Sequence, residues 1–156
     1  MNTLTRSLML ALVAVLMLQP LSANQAGIAQ GQNDAAAFTD QIAAQLLDQI
    51  KDGLQSRIVK RTLDAFDLSR MSGGAAFRNQ IVALLSQYES IRIHFNLIET
   101  STTGTEGTAV VDVEIEETPP GDVSAPVYKR AQLRFVAQRG PKSWKFTDVQ
   151  PRSFFA

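Results

Sequence analysis

The stretch ESIRIHFNLIET (Glu89 to Thr100) holds the chain's one histidine, His94, between an isoleucine and a phenylalanine. A lone imidazole does chemistry only with a carboxylate to orient it and a nucleophile or substrate to exchange its proton. Residue alternation points His94 to the polar face of a strand, beside Asp112. An exposed sheet face supplies neither nucleophile nor pocket, so the His94 and Asp112 pairing reads as a surface charge contact before it reads as a catalytic dyad. Asp148 is the more interesting acid. Counting by twos from Trp144 and Phe146 puts it on the apolar face, opposite Leu133, where lost solvation would raise its pKa and fit it to act as a general base near neutral pH. Tyr88, at the end of an apolar helical stripe, is the matching hydrogen-bond donor to an oxyanion. Against this stands a plainer reading, with Asp148 solvated or bonded to backbone at the sheet rim and Tyr88 as ordinary core.

Other chemistries lack residues. One histidine and no cysteine leave only carboxylates for a metal, and Asp112, Glu114 and Glu116 are spaced as a solvated strand face, so no metal site is expected. There is no phosphate loop, dinucleotide fingerprint or serine elbow, and no cofactor is expected. The formal charge is zero, which argues against a nucleic-acid partner or a polybasic membrane surface.

The elements that position these residues follow from the spacing of apolar side chains. Met1 to Arg6 is a positive start, Leu8 to Leu18 (LMLALVAVLML) is apolar throughout, and QPLSA ends on a small residue, the pattern of a secretory signal peptide cleaved after Ala23. The apolar run is short of the roughly 20 residues that span a bilayer, so no stable membrane insertion is expected after cleavage. Residues 24–33 (NQAGIAQGQN) read as a flexible leader, and 34–156 as a single domain. Within it Phe38, Ile42, Leu46 and Ile50 recur at helical spacing. Gly53 is the expected break before a second helical set, Leu54, Ile58, Leu63 and Phe66. Ser72 is the expected cap of a third helix carrying Phe77, Ile81, Leu84 and Tyr88.

Beyond Tyr88 the period falls from about 3.6 to 2. Ile91, Ile93, Phe95 and Leu97 form one apolar row; Val111, Val113 and Ile115 a second; Ala131, Leu133 and Phe135 a third; Trp144 and Phe146 a fourth. TPPGDVSAP and RGPK are turn-rich connections. The expected architecture is α+β, three helices covering one face of a curved, four-stranded antiparallel meander. Phe38, Phe77, Tyr88, Phe95, Phe135, Trp144 and Phe146 are expected to form its core or line its pocket. Phe154 and Phe155 either pin the C-terminus to the domain or offer a partner a small apolar contact.

Charge is unevenly distributed. Seven acidic and no basic residues lie between Glu99 and Asp122, and seven basic residues face only Asp148 between Tyr128 and Arg152. With a turn near Thr103, Arg92 is expected opposite Glu114, His94 opposite Asp112, and Glu114 near Arg130, with Arg134 on the same polar face. Each such pair contributes on the order of 0.2 to 1 kcal/mol, which sets register more than stability.

Three helices leading through AFDLSRMSGGAAFRNQIVALLSQYESIRIHF (Ala65 to Phe95) into a meander that closes with SWKFTDVQP (Ser143 to Pro151) resemble the nuclear transport factor 2-like superfamily, and more narrowly its exported bacterial members. The resemblance implies a cone-shaped α+β roll with a cavity between helices and sheet, often dimeric. Its members include ketosteroid isomerase, scytalone dehydratase and polyketide cyclases, as well as binding and scaffold domains without activity. No catalytic residue of those enzymes carries over to a position here, and no extra hairpin is evident between the second and third helices, a departure that would shrink the pocket. The reading is an exported domain that binds a small apolar ligand or a partner, with homodimerisation expected. The alternative is an acid/base isomerase, dehydratase or cyclase using Asp148 and Tyr88.

Overall fold

A computed structural model describes residues 37–121 and 125–156. The expected signal peptide and leader lie outside the described residues. The element order is α1 (Asp40–Gln55), α2 (Val59–Leu63), α3 (Gly74–Gln87), β1 (Ser90–Thr103), β2 (Glu106–Thr118), β3 (Val127–Arg139), β4 (Trp144–Gln150) and a terminal 3-10 turn (Arg152–Phe155). The strands pair antiparallel in the order β1-β2-β3-β4, giving an α+β fold with one open sheet.

Helix α1 starts where Thr39 Oγ1 accepts from the Ile42 amide. It does not break at Gly53. A Cβ there would lie 2.3 Å from the Thr62 nitrogen, so this glycine is required by the close approach of α2 and not by a turn. The helix ends instead in a Schellman pattern. The Ile58 amide bonds the Gly53 carbonyl and the Arg57 amide that of Leu54, with Arg57 at φ +58° where glycine is usual. The Arg57 side chain then donates to the Leu85 and Glu89 carbonyls at 2.7 and 3.1 Å, so the residue that closes α1 also satisfies the end of α3.

The second helical set is not one helix. Leu54 belongs to α1, Ile58 is exposed, and Phe66 forms a parallel bridge with Phe146 on the free edge of β4. Amide bonds from Phe146 to the Ala65 carbonyl and from Asp67 to the Phe146 carbonyl hold that segment against the edge of β4, between the second and third helices. Nor does Ser72 cap α3. The N-cap is Gly73, at φ +70°, and the Ser72 carbonyl accepts from Arg152.

The helices and the inward rows of the sheet share one core. Phe135 and Phe146 lie 4.7 Å apart, Phe66 and Phe77 5.0 Å, Phe38 and Trp144 5.2 Å. Phe95 is half-buried, edge-on to Phe135. Phe154 and Phe155 fold back into this core, Phe155 edge-on to Phe77, so the C-terminal phenylalanines pin the chain end.

Two bulges set the register. Hairpin β1-β2 turns at Gly104 and Thr105, then slips by one residue at Ile98. Arg92 therefore faces Glu116, His94 faces Glu114, and Asp112 faces Asn96, which corrects the expected partners by two positions. Glu114 opposite Arg130 is as expected, with a 3.0 Å ion pair. A second slip between Val136 and Ala137 re-phases β4, so that Thr147 and Val149 are buried and Asp148 is opposite Val136, not Leu133.

Candidate functional site

Alternation along β2 does not stop at Ile115. Two residues on, the next inward position is Glu117, and its side chain is fully buried. The same rule on β3 carries Leu133 and Ala131 down to Lys129. Glu117 lies opposite Ile91 on β1 and Val127 on β3, which sets Lys129 diagonally across from it on the same face. The ammonium nitrogen is 3.0 Å from Glu117 Oε2 and also donates to the Ala156 carbonyl at 3.1 Å. Tyr88, the capping residue at the end of α3, completes the group. Burial pushes its phenol up from the ordinary value and the Glu117 charge adds to that shift, so the hydroxyl stays a proton donor through neutral pH.

Among the described residues, these two oxygens of Glu117 are the buried side-chain polar atoms that accept no hydrogen bond. The Lys129 ammonium pairs with one of them in charge at 3.0 Å, and the Tyr88 hydroxyl, whose proton the carboxylate helps to hold, is their other polar neighbour. A carboxylate withdrawn from water without well-aligned hydrogen bonds is costly, roughly 1 to 3 kcal/mol for each unmade bond, a cost the Lys129 charge offsets in part. Buried polar groups are nearly always satisfied, so this end of the core is where the fold departs from its own economy. The signal lay in the sequence: the apolar rows of β2 and β3 each end on a charge, at Glu117 and at Lys129.

Asp148 behaves differently from its expected part. Burial alone would raise its pKa, but the Arg152 guanidinium, the Gln150 amide and the Val149 backbone N–H together hold the carboxyl below the ordinary carboxylate value. The inward placement and raised pKa that recommended it as a general base are thereby corrected. Through Arg152, which also bonds the Ser72 carbonyl and whose own carbonyl accepts from Gln80, Asp148 ties the terminal turn to β4 and α3.

Of the residues expected to line a pocket, Phe38, Phe77, Phe135, Trp144 and Phe146 are buried against one another in the core, with Phe95 and Tyr88 half-buried at its margin. The outer face carries the expected charges. Arg92 pairs with Glu116 at 3.3 Å, Gln132 bonds Asp112, and Arg134 reaches Thr108. A shallow cavity of about 540 Å³ lies across this face, walled by Arg92, His94, Glu114, Tyr128 and Arg130. Among the described residues no group of His, Cys, Asp and Glu is arranged to hold a metal, and no helix is long and apolar enough to cross a membrane.

No family model matches the chain, and no curated protein matches it in sequence. Solved structures do match in fold. A nuclear transport factor 2-like superfamily protein from Salmonella enterica serovar Typhimurium aligns with TM-score 0.62 at 10% identity over 70% of this chain and 86% of its own. A protein from Streptomyces avermitilis, described as a candidate dehydratase of the same family, gives 0.61 at 13% identity over 70% and 92%. A type 2 hexachlorocyclohexane dehydrochlorinase gives 0.55 at 13% identity over 77% and 84%. At such identities the likeness is one of fold.

Proposed function

We propose that this chain, whose fold is nuclear transport factor 2-like, is a small-molecule binding domain that holds its ligand at the polar end of the core, between Tyr88, Glu117 and Lys129. The observation that carries the reading is the fully buried Glu117 carboxylate, paired in charge with Lys129 at 3.0 Å yet accepting no hydrogen bond of ordinary geometry. A ligand donor would supply the missing hydrogen bonds, and the surrounding Ile91 and Ile115 suit an apolar body. An acid/base enzyme of isomerase, dehydratase or cyclase type is the second reading. It draws on the same contact, a carboxylate next to a protonated tyrosine, and no longer on Asp148.

Two further expectations accompany the proposal. Export follows the reading of residues 1–23 as a signal peptide. Homodimerisation through the outer sheet face is supported by its mixed charges, which can complement a second copy.

Native mass spectrometry of protein purified from a secreting host, followed by denaturing extraction, tests the binding reading. A stoichiometric small molecule in the wild type, lost in Glu117→Gln and kept in Asp148→Asn, is the expected result. Loss in Asp148→Asn with full occupancy in Glu117→Gln would overturn it. Turnover of the extracted compound, abolished by Glu117→Gln, would favour the enzyme.

A further inference from the structure

The basic half of the charge asymmetry is only partly spent on ion pairs. Of the seven basic side chains between Tyr128 and Arg152, Lys129, Arg130 and Arg152 pair with Glu117, Glu114 and Asp148. Arg139, Lys142 and Lys145 form no ion pair among the described residues. All three line one cavity of about 400 Å³, at the opposite end of β3 from Lys129.

Local geometry brings them there. They recur at every third position around a tight hairpin end, where Arg139 lies opposite Trp144 and the Gly140 amide closes the turn on the Ser143 carbonyl at 2.9 Å. Lys145 is half-buried, and its ammonium is held by the Asp64 carbonyl, which takes one of its three protons. Helix α1 forms the other wall with Ile42, Gln45, Leu46 and Gln49, which share one helical face.

Two other cavities contain acids of their own. The one on the outer sheet face includes Glu114 and Glu116, and one beside α2 includes Asp64 and Asp67. The cavity at the β3-β4 turn has three cations and no carboxylate in its walls. Like charges gathered round a concavity repel one another, and an anion of more than one charge relieves that repulsion. A guanidinium beside two ammonium groups matches the oxygens of a phosphoryl group. The Gln45 and Gln49 amides add neutral donors, and Ile42, Leu46 and Trp144 offer an apolar floor for a small organic body.

We propose that the cavity between α1 and the β3-β4 turn is a second binding site, for a small free phosphomonoester held by Arg139, Lys142 and Lys145. It stands independently of the group formed by Tyr88, Glu117 and Lys129.

Phenyl phosphate and phenyl sulfate are nearly equal in size, but at about pH 7.5 the first carries close to two negative charges and the second one. Each is titrated into the full chain while fluorescence of Trp144, which lines the cavity, is followed. Phenyl phosphate is expected to bind roughly fivefold or more tightly than the sulfate. Arg139→Gln and Lys142→Gln, both at exposed positions, should each weaken phenyl phosphate binding by roughly fivefold. Arg61→Gln removes the same charge from an exposed position outside the cavity and should change the affinity by less than roughly twofold. Thermal unfolding of each variant confirms that it is folded before titration. Equal affinity for the two esters, or equal weakening by Arg61→Gln, would overturn the site in favour of general charge attraction. No response to either ester would overturn it outright, and cosedimentation with phosphatidic acid vesicles in that case would assign the cations to a lipid surface instead.

Discussion

Removing Lys129 should damage the protein far more than removing its partner, and the reason is the unequal burial of the two. The side chain of Glu117 has no exposure and that of Lys129 keeps 29%. Lys129→Met strands a fully buried carboxylate without its compensating charge, which costs about 3 to 5 kcal/mol where a buried pair is broken from one side. A typical domain has only about 5 to 15 kcal/mol in all, so this variant should lie near the edge of folding. Glu117→Leu leaves an ammonium that can turn to water and still donate to the Ala156 carbonyl, for a loss of about 1 kcal/mol. With both replaced, no charge is left uncompensated, and the double variant should match or exceed the wild type by up to about 4 kcal/mol. The two single losses would then fail to add, and the cycle reports the coupling directly. Urea unfolding followed by fluorescence of Trp144, the chain's one tryptophan and buried against Phe38, gives all four values. Equal losses under about 1 kcal/mol in both single variants would refute the account, because an ordinary surface pair behaves that way.

Three other outcomes follow from the same geometry. Asp148→Asn should lower stability at neutral pH by about 1 to 2 kcal/mol; since the folded pKa is depressed, the wild type's advantage is present above the ordinary carboxylate value of about 4 and fades as pH falls through the folded value, so stability curves of the two proteins should converge in acid. Arg57→Ala should be about 1 kcal/mol less stable than Arg57→Gly, because both lose the bonds to the Leu85 and Glu89 carbonyls but only alanine retains the strain of a positive φ; equal losses in thermal denaturation would contradict this. Gly53→Ala, ordinarily worth about 1 kcal/mol to a helix, should instead destabilise by about 1 to 3 kcal/mol, since the new methyl meets Thr62 backbone; a rise in urea midpoint would show that α2 yields freely.

Much of this fold was legible in the order of its residues. The change of apolar period after Tyr88 separated helices from sheet, and four apolar rows identified the inner face of four strands. Both are local properties, since a strand shows alternate side chains to opposite faces wherever it runs. The same rule, followed one step further along β2 and β3, leads to Glu117 and Lys129. In sequence a charge at the end of an apolar row resembles the onset of solvent; the end of α3 at Tyr88 and the C-terminal turn, folding back through Phe154 and Phe155, decide that this end of the sheet is covered.

What the chain could not announce by itself was register. The turn at Gly104 and Thr105 together with the slip at Ile98 set Arg92 and His94 two partners away from their expected places, and the slip beside Ala137 turned Asp148 from the apolar face toward Arg152. Each bulge places one extra residue against a partner strand, so its position depends on two segments distant in sequence and on the twist they share. Gly53 carries the same lesson in a helix. Its neighbours in sequence mark a break, while Thr62, brought close by packing, makes it the residue that lets two helices touch. Periodicity therefore determined which side chains this protein hides, and tertiary contact decided which of the charged ones are hidden with them.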